Sequence, residues 1–209
     1  MMIWEILGNL EPTAAARMQA FNVLSEDSEK GRARRNDLQD ALKRINREEH
    51  GLGIEMNQRY VSSAVHQSDA GQPRTYATDP LEYYHATTYP GARLPHAWLS
   101  RTIPSKAIST LDLAGKGRFA LFTGIGGQGW KGAVDQVSSK LGVPLTAWQI
   151  GFRLEYEDRY FDWAKVRDVE ESGCVLVRPD FFVAWRCQRW SEDSAARLME
   201  VMRSILSRS

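Results

Sequence analysis

Gly124, Gly126 and Gly129 are the residues whose type and spacing bear most directly on chemistry. They lie in TGIGGQGW, between a short apolar run, Phe119 to Thr123, and a segment of helical periodicity. A strand that meets a glycine-dense turn and opens into a helix supports two chemistries. As G-x-G-x-x-G, it lets a dinucleotide pyrophosphate approach the backbone and sit on the helix N-terminus. As C-x-x-C, it exchanges thiols and disulfides. The glycine pattern is present and the turn holds no cysteine. A dinucleotide site also needs an acid at the end of the next strand to hold the ribose. Leu145 to Ile150 is followed by Gly151, and the first acid is Glu155, several residues late. The favoured reading is a structural glycine turn with an open helix N-terminus. A nucleotide- or anion-binding module using Gly124–Gly129 is the alternative.

Other reactive types are sparse. Cys174 and Cys187 flank a predicted hairpin and can face each other across it. Two reduced, packed thiols are expected there. Thiol exchange needs an accessible thiolate, usually at a helix start, and these positions are on predicted strands. A peroxiredoxin-like thiol enzyme is therefore a third and weaker reading. His50, His66, His85 and His96 lack metal-ligand spacing, so no metal site is expected.

Two polar clusters are candidates for an interface. Arg93, His96 and Trp98 sit in a proline-bounded motif, and Asn57, Arg59 and Tyr60 are close in sequence. Each has a functional reading, contact with a separate catalytic body, and a plainer one. In the plainer one, favoured for the first cluster, Arg93 pairs a carboxylate and Trp98 fills the core; the second cluster satisfies loop backbone groups. Of seven tryptophans, Trp4, Trp148, Trp163 and Trp190 are candidate docking anchors.

The elements that must position these groups divide the chain. Its 209 residues carry a net charge of +1 and no basic stripe, which argues against a nucleic-acid binder. No apolar run approaches the roughly eighteen residues of a membrane span, and no signal peptide is expected. A cytoplasmic protein is the expectation. Residues 1–65 are read as a helical arm. Thr13 is placed to cap a helix, and a charged helix from Glu26 to about Glu49 has a narrow stripe of Leu38, Ala41, Leu42 and Ile45. Such a seam cannot close a core alone. Residues 54–65 alternate partially, with a strand-like finish.

Residues 66–95, rich in proline and glycine, are read as an irregular linker or wrapping segment. Residues 96–209 are read as mixed α/β. Short strands are expected at Trp98–Leu99, Ser109–Leu113, Phe119–Thr123 and Leu145–Ile150. A helix is expected at Gln128–Leu141 and a hairpin over 173–187, turning at Pro179-Asp180. Ser191 is placed to cap a final helix with Ala195, Leu198, Met199, Met202, Ile205 and Leu206 inward. Strand–helix–strand, then hairpin, then helix is the thioredoxin topology, here without a CxxC motif.

Five stretches in one order carry a family resemblance: GIEMNQRY, PGARLPHAWL, TGIGGQGW, GVPLTAWQIG and GCVLVRPDFFVAWR. Together they resemble the C-terminal region of FAD-dependent phenol and chlorophenol hydroxylases, aromatic flavoprotein monooxygenases, over nearly the whole chain. The resemblance implies a thioredoxin-like domain after a helical segment. It also implies FAD and NADPH for the whole enzyme, with the flavin motifs and catalytic groups placed upstream of the region matched. No catalytic or cofactor-binding residue carries over. One departure is that the family hairpin turns with Gly after Pro-Asp, where Phe181-Phe182 stands here. The implied role is scaffolding and a share of a subunit interface. The partners are an FAD- and substrate-domain polypeptide, or a missing N-terminal part, and a second copy in a homo-oligomer. No nucleic acid and no membrane are expected as partners.

Overall fold

The computed structural model describes residues 2–68, 70–101 and 105–207. The outermost expected limits, residues 1 and 209, lie outside them. The chain forms two compact units: Met1–Ile54 with Leu81–Tyr83, and Glu55–Pro80 with Tyr84–Ser209.

The first unit is helical. It contains α1 (Ile3–Ile6), α2 (Ala14–Asn22), a single 3-10 turn (Val23–Ser25) and α3 (Glu29–Glu49). Thr13 caps α2 as expected, its Oγ1 accepting from the Ala16 N–H at 3.2 Å. Ser28 does the same for α3, accepting from Gly31 N–H at 3.0 Å. Arginine-to-carbonyl bonds then tie the helices together. Arg34 donates to the carbonyls of Ile6 (2.8 Å) and Glu5 (3.0 Å) at the C-terminal end of α1. Arg35 donates to Leu24 and Glu26 at 2.8 and 3.0 Å. Apolar burial is thin: Ile6, Val23 and Ala41 are buried, while Leu42 and Ile45 on the α3 stripe are 52% and 41% exposed.

A short helix, α4 (Leu52–Met56), replaces the start of the expected strand-like stretch. The rest of 54–65 makes single backbone bonds rather than a ladder, with Tyr60 N–H to Gly91 and Val65 N–H to Ser62. Partial alternation without a strand to pair against does not make a strand.

The second unit contains β1 (Trp98–Ser100), β2 (Ile108–Ser109), α5 (Thr110–Leu113), β3 (Phe119–Thr123), α6 (Gly129–Leu141), β4 (Leu145–Gln149), β5 (Glu157–Asp158), α7 (Asp162–Val166), β6 (Cys174–Val177), β7 (Val183–Cys187) and α8 (Ser194–Ile205). A four-stranded sheet runs β4-β3-β6-β7. β3 and β4 are parallel, joined through α6; β6 is antiparallel to β3 and β7 to β6. This is the expected order of crossover pair, hairpin and packing helix. A second sheet, β2-β1-β5, is antiparallel throughout.

Both faces of the four-stranded sheet are covered, which explains why every residue of β3, β6 and β7 is buried. On one face Leu121, Leu176 and Trp185 pack with Trp130 and Val137 of α6 and Leu198 and Met202 of α8. On the other, Phe122, Val175 and Val177 pack with Leu99, Leu113 and Trp163. A register shift in β6–β7 pairs Leu176 with Trp185 but Val177 with Val183, so Ala184 and Trp185 both join the helix-covered cluster. The outer side of β7 is occupied by the irregular segment. His66 donates to Ala184, Gly91 to Val183, and Val183 to Ala92.

Two further expectations are corrected. Ser109–Leu113 is not a strand. Ser109 closes β2 and then caps α5, its Oγ accepting from Leu111 N–H while Asp112 Oδ2 accepts from Ser109 N–H at 2.8 Å. The last helix starts at Ser194 rather than just after Ser191. The Ser191 hydroxyl donates to Asp193 Oδ1 at 2.5 Å, and Ser194 Oγ accepts from the Ser191 N–H, closing a separate turn before the helix. Among the described residues, no helix is long and apolar enough to cross a membrane.

Candidate functional site

The glycine turn is held by the chain's own atoms. A Cβ on Gly124 would lie 2.6 Å from the Glu171 carbonyl oxygen, one on Gly127 1.9 Å from Thr123 Oγ1, and one on Gly129 2.2 Å from the Trp190 ring. Gly126 has φ +81°, which favours glycine. Three N–H groups at the turn are already engaged: Gly127 to Gly124, Trp130 to Gly127 and Lys131 to Gln128. Glu155, the first acid after β4, sits beside Lys131 (3.4 Å) and Arg101 (3.8 Å). A dinucleotide needs these approaches, donors and an acid for itself. The turn does not fit that role.

The structure gathers part of the two interface clusters. Asn57, Arg59 and Arg93 line one cavity of about 200 Å³ together with Tyr84 and His85. Asn57 positions two loop segments there: its Nδ2 donates to Pro80 (2.8 Å) and its Oδ1 accepts from His85 N–H (2.7 Å). The His85 ring stacks on Tyr76 at 4.1 Å and 10°. Burial pushes the Tyr84 phenol up to about 12, Tyr76 adding to the rise and Arg93 opposing it, so a neutral hydroxyl lines the cavity. Arg59 lies over the Tyr89 ring at 5.2 Å. Among the described residues, neither Arg59 nor Arg93 has a carboxylate within salt-bridge distance, against the plainer reading of Arg93.

The other candidates lie apart from this cavity. Tyr60 packs edge-on against Phe182 at 4.5 Å. His96 meets Trp98 edge-on at 4.6 Å, with its Nδ1 2.7 Å from Ser109 Oγ. Trp98 is 42% exposed rather than filling the core, because alternation along β1 turns it outward while Leu99 goes in. Of the four candidate anchor tryptophans, Trp163 is buried and Trp4 is 60% exposed. Trp148 donates to Leu113, and Trp190 packs on Trp130.

A buried ionic cluster is the feature that sequence reasoning missed. Arg186, the next-to-last residue of β7, is 2% exposed. Its guanidinium reaches Asp168 Oδ2 at 3.4 Å, donates to the Ala70 carbonyl at 2.7 Å and lies 5.1 Å over the Tyr89 ring. Asp168 also meets Arg74 at 2.5 Å and accepts from the Thr87 hydroxyl at 2.8 Å. Desolvation pulls the Arg186 pKa down, and Asp168 pulls it back. The one available signal was an arginine inside an otherwise apolar strand. Cys174 and Cys187 are direct cross-strand partners and both are buried thiols. Among the described residues, no group of three or more His, Cys, Asp and Glu is placed to hold a metal ion.

The aromatic-ring hydroxylase C-terminal family model matches residues 87–209. The chain belongs to that family. It is 42% identical to 2,4-dichlorophenol 6-monooxygenase of Cupriavidus pinatubonensis over 183 residues, 88% of this chain and 30% of that protein. It is 38% identical to phenol 2-monooxygenase of Pseudomonas sp. strain EST1001, covering 96% of this chain and 33% of that protein. Among solved structures, it superposes on the flavin-dependent monooxygenase PieE, crystallised with FAD and substrate, with a TM-score of 0.86. That match has 40% identity and covers 99% of this chain and 35% of PieE. The chain thus spans about a third of the relatives it matches. It is similar to the C-terminal part of larger flavin-dependent aromatic hydroxylases.

Proposed function

We propose that this chain acts as the non-catalytic C-terminal scaffold of an FAD- and NADPH-dependent phenol or chlorophenol monooxygenase. In this reading it covers the catalytic part and contributes to a subunit interface of a cytoplasmic homo-oligomer. The observation that carries it is the outward presentation of Arg59, Arg93, His96 and Trp98, in a chain whose glycine turn is filled by its own atoms. Two arginines at one cavity with no salt-bridge partner among the described residues suit a surface that supplies acids. The apolar stripe of α3 suits a partner that covers it. We also read the strand order as a thioredoxin-like arrangement without its redox cysteines.

Flavin titration tests the proposal. The purified chain is expected to bind neither FAD nor NADPH, and to associate with a polypeptide carrying the FAD and substrate domains. Stoichiometric flavin in the chain alone would overturn the scaffold reading and restore the nucleotide-binding alternative.

A further inference from the structure

The cavity lined by Asn57, Arg59 and Arg93 holds donors that the fold leaves unused. It has a volume of about 200 Å³ and lies wholly within the second unit. Several of its polar groups are committed. Asn57 clamps Pro80 and His85 from the two ends of its amide. His85 Nε2 is 2.9 Å from Thr78 Oγ1, and the Thr87 hydroxyl donates to Asp168. The Arg59 and Arg93 guanidinia and the Tyr84 hydroxyl, by contrast, make no hydrogen bond among the described residues. The Tyr84 oxygen keeps accessible surface although the residue is half-buried. Donors held by a clamped wall and left without acceptors are arranged for a guest.

The charge at the cavity is one-sided. No aspartate or glutamate lines it; Glu55 and Asp79 adjoin lining residues in sequence but are not part of the wall. Asp168 already serves both Arg74 and Arg186. Arg59 and Arg186 share the Tyr89 ring, at 5.2 and 5.1 Å, which adds a buried positive charge close to the exposed one. Such a field favours an anion. Met56, Pro80 and Ala92 add an apolar wall beside the donors. The volume is below that of drug-sized sites, which excludes a nucleotide and leaves room for a small anion on a short stem.

We propose that this cavity is a carboxylate-binding site. The Arg59 and Arg93 forks grip the two carboxylate oxygens and the Tyr84 hydroxyl donates a further hydrogen bond. A short aliphatic stem lies along Met56, Pro80 and Ala92. Two sources present that chemistry: a glutamate side chain of the FAD-domain polypeptide, or a free short-chain acid. The first source rests on the scaffold reading, and the site itself does not.

The test is titration of the isotope-labelled full chain with propionate, the glutamate side chain in free form, at constant ionic strength. The amide shifts of Arg59, Tyr84 and Arg93 report it. Saturable shifts are expected, with a Kd on the order of 10 mM or tighter. Propionamide has the same shape without the charge and should bind at least about 10-fold more weakly. Arg59→Gln and Arg93→Gln should each weaken propionate about 10-fold. Tm should move little, because both side chains are exposed. Should a glutamine variant unfold, Arg93→Lys keeps the charge without the fork, with about 3-fold weaker binding expected. Non-saturable shifts, equal binding of propionamide, or unchanged affinity in the folded variants would overturn the site. Adding the FAD-domain polypeptide to the propionate-loaded chain then separates the sources. Displacement of propionate assigns the partner's side chain. Association with propionate retained assigns a free acid and spares the scaffold reading. No association removes that reading and leaves the free acid.

Discussion

The ring of Phe181 lies where a side chain on Gly115 would have to sit: a Cβ built there falls 2.4 Å from Phe181 Cζ. Both residues are in the left-handed region, at φ +70°. The Phe181 ring packs against the cluster of Leu99, Phe122 and Val175. Gly115→Ala should therefore destabilise the chain by about 3 kcal/mol, combining backbone strain with displacement of the ring. Denaturant unfolding measures it. In the double variant with Phe181→Ala, the loss should be smaller than the sum of the single losses, since the two share one contact.

Asp168 is the acid that meets Arg186 inside the fold. Asp168→Asn leaves a guanidinium that is 2% exposed without its counter-charge. A loss of about 3 kcal/mol or more is expected in thermal or chemical unfolding. Arg186→Met in the same background should recover part of it, because the uncompensated charge is then gone.

Tyr84 gives a pH dependence with a definite sign. Its folded pKa is raised from 10.0 to about 12 by burial. The folded chain holds the proton more tightly than the unfolded one between these values, so the contribution to stability is complete below pH 10 and declines as pH rises toward 12. Stability measured against pH should fall less steeply across that window in Tyr84→Phe than in the parent. Equal slopes would contradict the assignment.

The scaffold proposal rests on outward side chains, and its variants should separate folding from association. Arg93→Ala with Trp98→Ala should weaken binding to the FAD-domain polypeptide by at least about 10-fold, as truncation of central arginine and tryptophan contacts does. Tm should move little, because both side chains are exposed. Sedimentation or calorimetric titration reads the first quantity and calorimetric unfolding the second.

Legibility in the sequence followed the range of the interactions. Phe119–Thr123 was readable to the residue, since a buried apolar run bounded by a glycine turn has few alternatives. The Ser109–Leu113 segment was misread although its signal was local. Ser109 and Asp112 have capping-box spacing, but Leu111 and Leu113 alternate with polar neighbours as a strand would. Arg186 was out of reach for another reason. Its partners, Asp168 and the Ala70 carbonyl, lie in irregular segments whose path no periodicity reports. The cavity of Asn57, Arg59 and Arg93 was half legible: the residue types were singled out, but only folding brings positions 57 and 93 together.

The strap along β7 has a consequence for how this sheet survives in solution. β7 is the outermost strand of its sheet, and such a rim is a template on which other chains can add. His66, Gly91 and Ala92 occupy that rim through the bonds at Val183 and Ala184, and Arg93 extends the coverage with a bridge to Phe182. A chain shortened to start at β1 would keep every strand of both sheets and lose this guard, exposing a ready nucleus for fibre-like growth.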